Sequence, residues 1–404
     1  MDIASVTVDG FRNLAGTLPA APGLNVLWGD NGQGKTNWLE AVYLLATTKS
    51  FRTHQPQEVI AFGATAAHLR AEIVRRSTPV TLDIHLEGGR KTLFVNGKRV
   101  ALNEYLGQLT VFAYGREALS VICGEPGERR RFLDRGVLSL KPAYVQTLAD
   151  YNRVLKQKNA LLRAAAVAPD RCGWLDSLED WNAQLVELGT RLHVERAQYA
   201  ALLNEHLDWT IFNAERITIR YVSALDPDVS ATSAAEAVRE ALAERLVRRR
   251  EAELAAGHAL VGPHRDDLAI LVDGREVARF GSAGQQRSAL LVLTLGQLAL
   301  YREHCAEPPV FLLDDLDAEL DVGRITALLE YLQDKAQTFV TTTKPELVHA
   351  PACWRQVRAG RCIAAQDEGL HTFEGMCGSG MGVTADGNYS RSSAAERNFE
   401  KPLP

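Results

Sequence analysis

The chain has 404 residues, of which 46% are hydrophobic and 24% are charged, and its formal net charge is −5. These values are ordinary for a globular protein and leave room for two or three domains, each with a core of its own. The net negative charge excludes a global basic field, so any contact with nucleic acid must come from a local patch.

The N-terminal sequence MDIASVTVDGFRN lacks the basic and apolar regions of a signal peptide. The most apolar later stretch, residues 289–301, is too short to span a bilayer. The six cysteines are scattered and none forms a CxxC pair, which argues against a zinc knuckle and a disulfide scaffold. We therefore expect a soluble cytoplasmic protein with no membrane partner.

Hydrophobic periodicity predicts strands around one helix in the N-terminal part of the chain. The helix is expected at residues 35–47, and the strands at 3–8, 24–28, 69–74 and 80–85. Two further short strands, 92–95 and 98–101, flank Asn96-Gly97. A hairpin is expected there because both turn positions need positive φ.

From about residue 140 the apolar period changes to that of helices. Apolar residues three, four and seven apart form two series, Leu148, Tyr151, Leu155 and Leu162, then Leu178, Trp181, Leu185, Leu188 and Leu192. Two such helices would pack against each other as a short arm. The pattern favours a helical subdomain with its own core over a projection that contacts DNA or a partner.

Strand patterns return in the C-terminal part, and the last residues change in character. Strands are expected at 217–222 and 268–272, and buried parallel strands at 310–313 and 338–342. Residues 378–404 are rich in Gly, Ser and Asn and poor in large apolar residues, which predicts a disordered tail.

The sharpest motif matches G-x-x-x-x-G-K-[ST] at every fixed position, between a predicted strand and a predicted helix. It consists of Gly29, Asp30, Asn31, Gly32, Gln33, Gly34, Lys35 and Thr36. The glycines let successive backbone N–H groups wrap around phosphate oxygens, and the following helix directs its N-terminus at the same anion. Lys35 would reach the β- and γ-phosphates, and Thr36 would hold Mg²⁺.

The second motif is an apolar run, residues 310–313, that ends in Asp314 and Asp315. A buried strand of this kind places its carboxylates at the carboxyl edge of a parallel sheet, where ligands bind. Asp314 would then hold Mg²⁺, and Asp315 would orient or deprotonate the attacking water. Such a run is common at ordinary strand ends. The interpretation as a ligand-binding strand end is stronger here because the run follows a phosphate-binding loop in the same chain.

The third motif contains Ser282, Gly284 and Gln285 and precedes the apolar helix that continues to Tyr301. A small hydroxyl residue and a glycine at a helix start make an anion-binding cup, or an ordinary helix cap. Both interpretations stay open, because the sequence does not show whether this loop faces the phosphate-binding loop.

In this order along the chain, the three motifs resemble those of ABC-type ATPase heads, which transporters, SMC proteins and the RecF family share. In that superfamily the S-x-G-Q loop contacts the γ-phosphate bound to the other subunit. The resemblance implies an α/β fold, a P-loop ABC-type ATPase head with an inserted helical arm subdomain. It also implies ATP and Mg²⁺ as ligands and an ATP-bridged, head-to-tail homodimer, with Asp315 as the catalytic residue.

Finer features resemble the RecF family of bacterial DNA replication and repair proteins over about residues 1–376. The matching segments are GFRN at 10–13, KSFR at 49–52, PGERRRFLD at 126–134, YNRVLKQKNALL at 151–162, GPHRDDL at 262–268 and AELD at 318–321. Two positions depart from the family pattern. Gly115 falls where the family usually shows F-x-P-E-D-L, and Ala318 replaces the serine of S-E-L-D.

This resemblance implies a division of the chain into a head, 1–118 with 258–376, a helical arm, 119–257, and the tail, 377–404. It implies a weak, DNA-stimulated ATPase that dimerises on duplex DNA at gaps or single-strand/duplex junctions. Such a protein helps RecR and RecO load RecA in recombinational repair.

Three other classes share parts of the motif set. A transporter ATPase has its S-x-G-Q loop much nearer the P-loop, and an SMC tether has hundreds of heptad residues and a CxxC hook. A nucleotide-gated structural clamp without significant turnover stays open as an alternative, although Asp315 argues for turnover.

The sequence contains three local basic clusters that are candidate DNA contacts. They are residues 129–131, residues 248–250, and the hairpin residues Arg90, Lys91, Lys98 and Arg99. The charge pattern alone favours solvated faces over phosphate contacts. The expectation of DNA binding therefore depends on the resemblance.

Overall fold

The computed structural model describes residues 1–53, 55–167, 172–207, 215–225 and 234–364. All of these residues belong to one unit, Met1–Ala365. The strands are β1 Asp2–Phe11, β2 Leu14–Pro19, β3 Leu24–Trp28, β4 Ala66–Arg75, β5 Thr78–Glu87, β6 Arg90–Val95, β7 Lys98–Arg99, β8 Val111–Tyr114, β9 Ile217–Val222, β10 Asp267–Val272, β11 Arg275–Glu276, β12 Val310–Leu313, β13 Gln337–Thr342, β14 Cys353–Arg358 and β15 Arg361–Ala364.

The helices are α1 Lys35–Thr47, α2 Leu102–Tyr105, α3 Ser120–Cys123, α4 Pro126–Leu140, α5 Tyr144–Val167, α6 Cys172–Asn204, α7 Ala235–Ala256, α8 Val277–Phe280, α9 Ala283–His304, α10 Leu316–Glu319 and α11 Val322–Leu332. None of the helices in the described ranges is long and apolar enough to cross a membrane.

One six-stranded sheet, in the order β15-β14-β3-β13-β12-β8, brings the sequence motifs together. Its strands run parallel from β14 to β8, and β15 pairs antiparallel with β14. Leu313 lies opposite Tyr114 and Val340, while Trp28 lies opposite Thr342. The carboxyl ends of β3, β13, β12 and β8 therefore meet at one edge, where α/β sheets bind their ligands.

A second six-stranded sheet has the order β2-β1-β4-β5-β6-β7 and is antiparallel. The predicted hairpin between β6 and β7 is confirmed, with φ of 50° at Asn96 and 73° at Gly97. Helix α1 contacts strands of both sheets. Because its two sides are covered, most of its side chains are buried, including Trp38 at 0% exposure.

The predicted arm helices are present as α5 and α6, and α7 packs against both of them. Leu162, Leu178 and Leu254 belong to one buried cluster that joins the three helices. The sequence analysis placed no element at α7. The division into head and arm stays a prediction, and the predicted tail, 377–404, lies outside the described residues.

Candidate nucleotide-binding site

The loop from Gly29 to Gly34 connects the end of β3 to the start of α1, as the motif predicts. Gly29, Gly32 and Gly34 have φ of 147°, 80° and 107°, a region that side-chain-bearing residues rarely adopt. A Cβ on Gly29 would also lie 2.5 Å from the carbonyl oxygen of Val357. The glycines are therefore required by the backbone of this chain as well as by the motif.

Lys35 is 6% exposed, and its ammonium group is held by the loop itself. Its Nζ donates to the carbonyl oxygens of Gly29 at 2.7 Å and Asp30 at 2.9 Å. Burial lowers the pKa of Lys35, while the carboxylates of Asp315 and other acidic residues nearby oppose that shift. The one buried cation of the loop thus faces the acidic strand end.

Thr36 and Asp314 are in direct contact, although 278 residues separate them in sequence. The Thr36 hydroxyl donates to Asp314 Oδ1 at 2.9 Å, and the Thr341 hydroxyl donates to the same oxygen at 2.7 Å. Burial raises the pKa of Asp314, and the two hydroxyl donors oppose that rise. A hydroxyl and a carboxylate side by side are hard oxygen ligands of the kind Mg²⁺ takes. The residues present therefore fit the expected metal ion.

Asp315 has a left-handed backbone, with φ 56° and ψ 50°, and it is the N-cap residue that precedes α10. Its N–H donates to Thr341 Oγ1 at 2.8 Å, so one threonine positions both aspartates. A non-glycine residue in this region is uncommon, and such strain concentrates at functional sites. The sequence analysis missed Thr341, because a threonine inside a buried strand has no local signature.

Asp317 fixes the acidic loop to the end of β13. It accepts hydrogen bonds from Thr342 Oγ1, from Thr343 Oγ1 and from the Thr343 N–H, at 2.8, 2.7 and 3.1 Å. Burial raises the pKa of Asp317, but these donors outweigh it, and the net shift is downward. The carboxylate is therefore held in the charged form beside Asp315.

The turn between β14 and β15 supports the phosphate loop from the other side. The N–H groups of Ala359 and Gly360 donate to Gln33 Oε1 at 2.7 Å and to the Gln33 carbonyl at 2.8 Å. Gly360 has φ 79°, and a Cβ there would lie 1.9 Å from the Asn13 carbonyl oxygen. This support was not predicted, because it depends on β14 pairing beside β3.

The GFRN and KSFR segments meet on the polar side of α1. Arg12 forms a bidentate ion pair with the fully buried Glu40, in which its Nε and Nη2 lie 3.0 and 2.8 Å from the two carboxylate oxygens. The Ser50 hydroxyl donates to the same carboxylate at 2.5 Å. Asn37 donates to Asn13 Oδ1 at 2.7 Å and accepts from Arg52 at 2.8 Å. Both segments thus brace the helix that follows the phosphate loop.

The S-x-G-Q loop forms a capping box at the start of α9. Ser282 Oγ accepts the Gln285 N–H at 3.2 Å, and Gln285 Oε1 accepts the Ser282 N–H at 2.8 Å. Ser282 and Gly284 are exposed. Among the described residues, no hydrogen bond or ion pair joins this loop to residues 29–36 of the same chain. The helix-cap interpretation is confirmed, and a phosphate contact to a second chain stays a prediction.

The AELD segment is tied to the same helix. Arg287 Nε lies 3.0 Å from Glu319 Oε2, and Asp321 caps α11 by accepting the Arg324 N–H at 3.0 Å. At the other departure from the family pattern, a Cβ on Gly115 would lie 2.9 Å from the Cβ of Asp314. Any side chain at residue 115 would press on Asp314 in this structure.

The GPHRDDL segment is a polar junction between the helices and the small sheet β11-β10-β9. Asp266, 2% exposed, accepts from the Tyr221 hydroxyl at 2.5 Å and from the Ala224 N–H at 2.7 Å. Arg129 forms a bidentate ion pair with Asp267, in which its Nε and Nη2 lie 2.6 and 2.8 Å from the two carboxylate oxygens. Asp266 and Asp267 of this motif therefore join the helices to the small sheet.

The basic clusters have different environments. The expectation of a solvated face is wrong for Arg129, which is 13% exposed and bound to Asp267. Arg248 fits that expectation, since it is 67% exposed and pairs with Glu244 one helical turn away. Lys98 and Arg99 at the hairpin are exposed. These environments do not identify any of the basic residues as a DNA contact.

The phosphate loop, the acidic strand end and the sheet order define a P-loop ATPase head. The family model for the RecF/RecN/SMC N-terminal domain matches residues 2–360. A solved Smc head domain from Pyrococcus furiosus shares the fold, with a TM-score of 0.50 at 15% identity over 90% of this chain and 96% of the other. The chain therefore has the head fold of SMC and RecF proteins.

Curated relatives narrow the assignment. The DNA replication and repair protein RecF of Geobacillus thermodenitrificans is 35% identical over 381 residues, 90% of this chain and 100% of the relative. RecF of Thermosynechococcus vestitus is 38% identical over 391 residues, 93% of this chain and 100% of the relative. A solved structure of the recombination mediator RecF with ATPrS, in the RecFOR pathway, has a TM-score of 0.82 at 29% identity, covering 90% and 98% of the two chains. The chain belongs to the RecF family of DNA replication and repair proteins.

Proposed function

We propose that the chain is an ATP-driven switch in DNA repair and replication. ATP and Mg²⁺ bind at residues 29–36, two copies close on duplex DNA at gaps or junctions, and slow hydrolysis opens them again. The observation that carries the proposal is the 2.9 Å bond from Thr36 to Asp314, which unites the phosphate loop and the acidic strand end in one site.

Each residue of the site has a defined task in this proposal. The N–H groups of the loop and the N-terminus of α1 bind phosphate oxygens, and Lys35 exchanges its two carbonyl partners for them. Mg²⁺, held through Thr36 and Asp314, would offset the charge of the phosphates. Asp315, positioned by Thr341, orients the attacking water and accepts its proton.

The proposed dimer shares its sites between subunits. Ser282 and Gly284 are exposed at the start of a helix, where backbone N–H groups favour an anion. Because no hydrogen bond or ion pair joins this loop to the phosphate loop of its own chain within the described residues, we assign its phosphate to a second copy. A two-fold arrangement then gives two equivalent sites, each made from both chains.

The DNA and protein partners are proposed from family membership. Relatives carry the name of a DNA replication and repair protein, and a solved relative is described as a recombination mediator in the RecFOR pathway. We propose that this chain binds duplex DNA and junctions, and that it acts with RecR and RecO to load RecA. Since phosphate contacts dominate such binding, affinity should fall steeply with salt and depend little on base sequence.

Sedimentation velocity with and without ATP and duplex DNA tests the proposal. Wild type should change from monomer to dimer when ATP and Mg²⁺ are added, and duplex DNA should sediment with the dimer. Lys35→Ala should stay monomeric because it lacks the cation beside the phosphates. Lys156→Ala, at an exposed lysine on α5, should behave as wild type. Dimers that form equally without ATP, or DNA binding of equal strength by the monomer, would contradict the proposal.

A structural clamp that binds ATP without significant turnover is the second candidate. The left-handed backbone of Asp315 favours a positioned catalytic side chain over this alternative, since strained residues concentrate where geometry matters. Turnover measured with and without duplex DNA decides between the two, and its absence under both conditions would select the clamp.

A further inference from the structure

A cluster of polar residues lies on the outward face of the antiparallel sheet, on β4 and β5. His68 pairs directly with His85 in the register, and Arg70 pairs with Asp83. Successive side chains of a strand alternate between the two faces, so these four residues share one face. The intervening Leu69 and its neighbours on β5 point into the core.

Asp83 is unusual for this face because it is only 2% exposed. Arg70 Nε donates to its Oδ1 at 2.6 Å, and His68 Nε2 lies 3.2 Å from the same oxygen. Both contacts use Oδ1 among the described residues, which leaves Oδ2 to act as a ligand. A carboxylate oriented by an arginine in this way resembles the outer-shell support that metal ligands receive.

The two histidines lie against each other and against the carboxylate. Their ring centroids are 4.3 Å apart, and Phe94 packs 4.8 Å from the His85 ring on the far side. One ligand atom of each of His68, Asp83 and His85 lies within 4.8 Å of the other two.

We propose that His68, Asp83 and His85 form a binding site for one divalent transition-metal ion, with Zn²⁺ as the ion that fits best. Two imidazoles and one carboxylate are a ligand set that Zn²⁺ takes when a fourth position stays open to water. Metal–ligand distances of about 2.0–2.2 Å require the three atoms to move closer together. The exposed His85 and the 40% exposed His68 have room for that rotation.

A simpler arrangement would use the same residues differently. A buried Asp83–Arg70 ion pair needs neither histidine, and two histidines can pair across strands without an ion. The nearby Arg70 guanidinium also repels a cation, although it is 48% exposed and therefore screened by water. The two arrangements differ in whether both histidines bind one metal ion. Metal binding can be measured without nucleotide or DNA.

Tag-free full-length protein is titrated with Co²⁺ and Zn²⁺, with visible absorption and calorimetry as readouts. One Co²⁺ per chain should give a ligand-field spectrum that Zn²⁺ abolishes by displacement. His68→Ala and His85→Ala should each weaken Zn²⁺ binding by at least about tenfold, because each removes one of three protein ligands. The matched control His349→Ala, an exposed histidine elsewhere, should bind as wild type.

The proposal is overturned if no saturable spectrum forms, or if His349→Ala weakens binding as much as His85→Ala does. It is also overturned if His85→Ala binds Zn²⁺ normally. His68→Ala and His85→Ala should keep wild-type thermal stability without added metal. Zn²⁺ should raise the melting temperature of wild type and of His349→Ala, but not that of the two variants that lack a ligand. Failure here leaves the ATP site untouched, since none of these readouts involves nucleotide.

Discussion

The buried pair Lys158–Glu253 links α5 to α7, and its removal should have a large effect on stability. Lys158 Nζ lies 2.6 Å from Glu253 Oε2, and the two side chains are 0% and 1% exposed. Burial lowers the pKa of Lys158, and the adjacent carboxylate opposes that shift. Glu253 Oε1 also accepts the N–H groups of Leu260 and Val261, at 2.7 and 3.3 Å.

Lys158→Met removes the cation and leaves the carboxylate buried without its partner. Breaking a buried pair in this way destabilises a protein by about 3–5 kcal/mol. In the double variant Lys158→Met/Glu253→Gln the charge is gone, while the Gln oxygen still accepts the two N–H groups. We expect the double variant to recover at least about half of that loss, because no uncompensated charge remains.

Urea denaturation followed by circular dichroism measures these free energies of unfolding. The matched control is Lys156→Met on the same helix, where the lysine is exposed and the change should stay within about 0.5 kcal/mol. Two results would refute the reasoning. One is a Lys158→Met variant no less stable than Lys156→Met, and the other is a double variant at least as unstable as Lys158→Met alone.

The remaining predictions concern the nucleotide-binding site and the GPHRDDL segment. Asp315→Asn should still bind ATP and should prolong the dimer, with hydrolysis lost; unchanged turnover would mean that another residue is the base. Gly360→Ala should lower the melting temperature and weaken ATP binding, because its Cβ would clash with the Asn13 carbonyl. Gly274 has the same φ of 79° but open space around it, so Gly274→Ala should lower the free energy of unfolding by only about 1 kcal/mol. Equal losses of stability in the two variants would argue against the clash. Burial lowers the pKa of His264 to about 4, so the unfolded chain binds the extra proton first and stability should fall between pH 6.5 and 4, by about 3 kcal/mol in all. Urea denaturation at pH 7.5 and at pH 5 should show about 2 kcal/mol of this fall in wild type and less in His264→Gln.

Motifs that combine local geometry with fixed residue types were predictable from the sequence. The loop at 29–36 needs its glycines and its lysine in one short stretch, and Asp314 follows an entirely apolar strand. The sheet order places Trp28 and Leu313 at the same edge, and Thr36 and Asp314, the two expected Mg²⁺ ligands, lie in direct contact there. Local pattern sufficed there because parallel strands carry their ligands at one end.

Contacts that depend on distant packing were not predictable. Thr341 lies in a fully buried strand, where its hydroxyl is indistinguishable in sequence from an ordinary β-branched residue. Helix α7 was missed because its few buried leucines are diluted by charged residues, including Arg248 and its neighbours. Arg129 was expected to be solvated, because its partner Asp267 lies 138 residues away in sequence and no local pattern indicates the pairing. Each of these depends on which elements become neighbours after folding.

The central claim is that two chains complete each ATP site, and mixing two inactive variants tests it most directly. Lys35→Ala removes the phosphate-binding cation, and Ser282→Arg places a long cation where a second chain must approach. Ser282→Ala is the control for the lost cap, which alone should reduce stability by about 1 kcal/mol. The account predicts that the mixture of Lys35→Ala and Ser282→Arg hydrolyses ATP partially, since a mixed dimer has one intact site. An inactive mixture, at concentrations where wild type is fully dimeric and with subunit exchange verified, would contradict it.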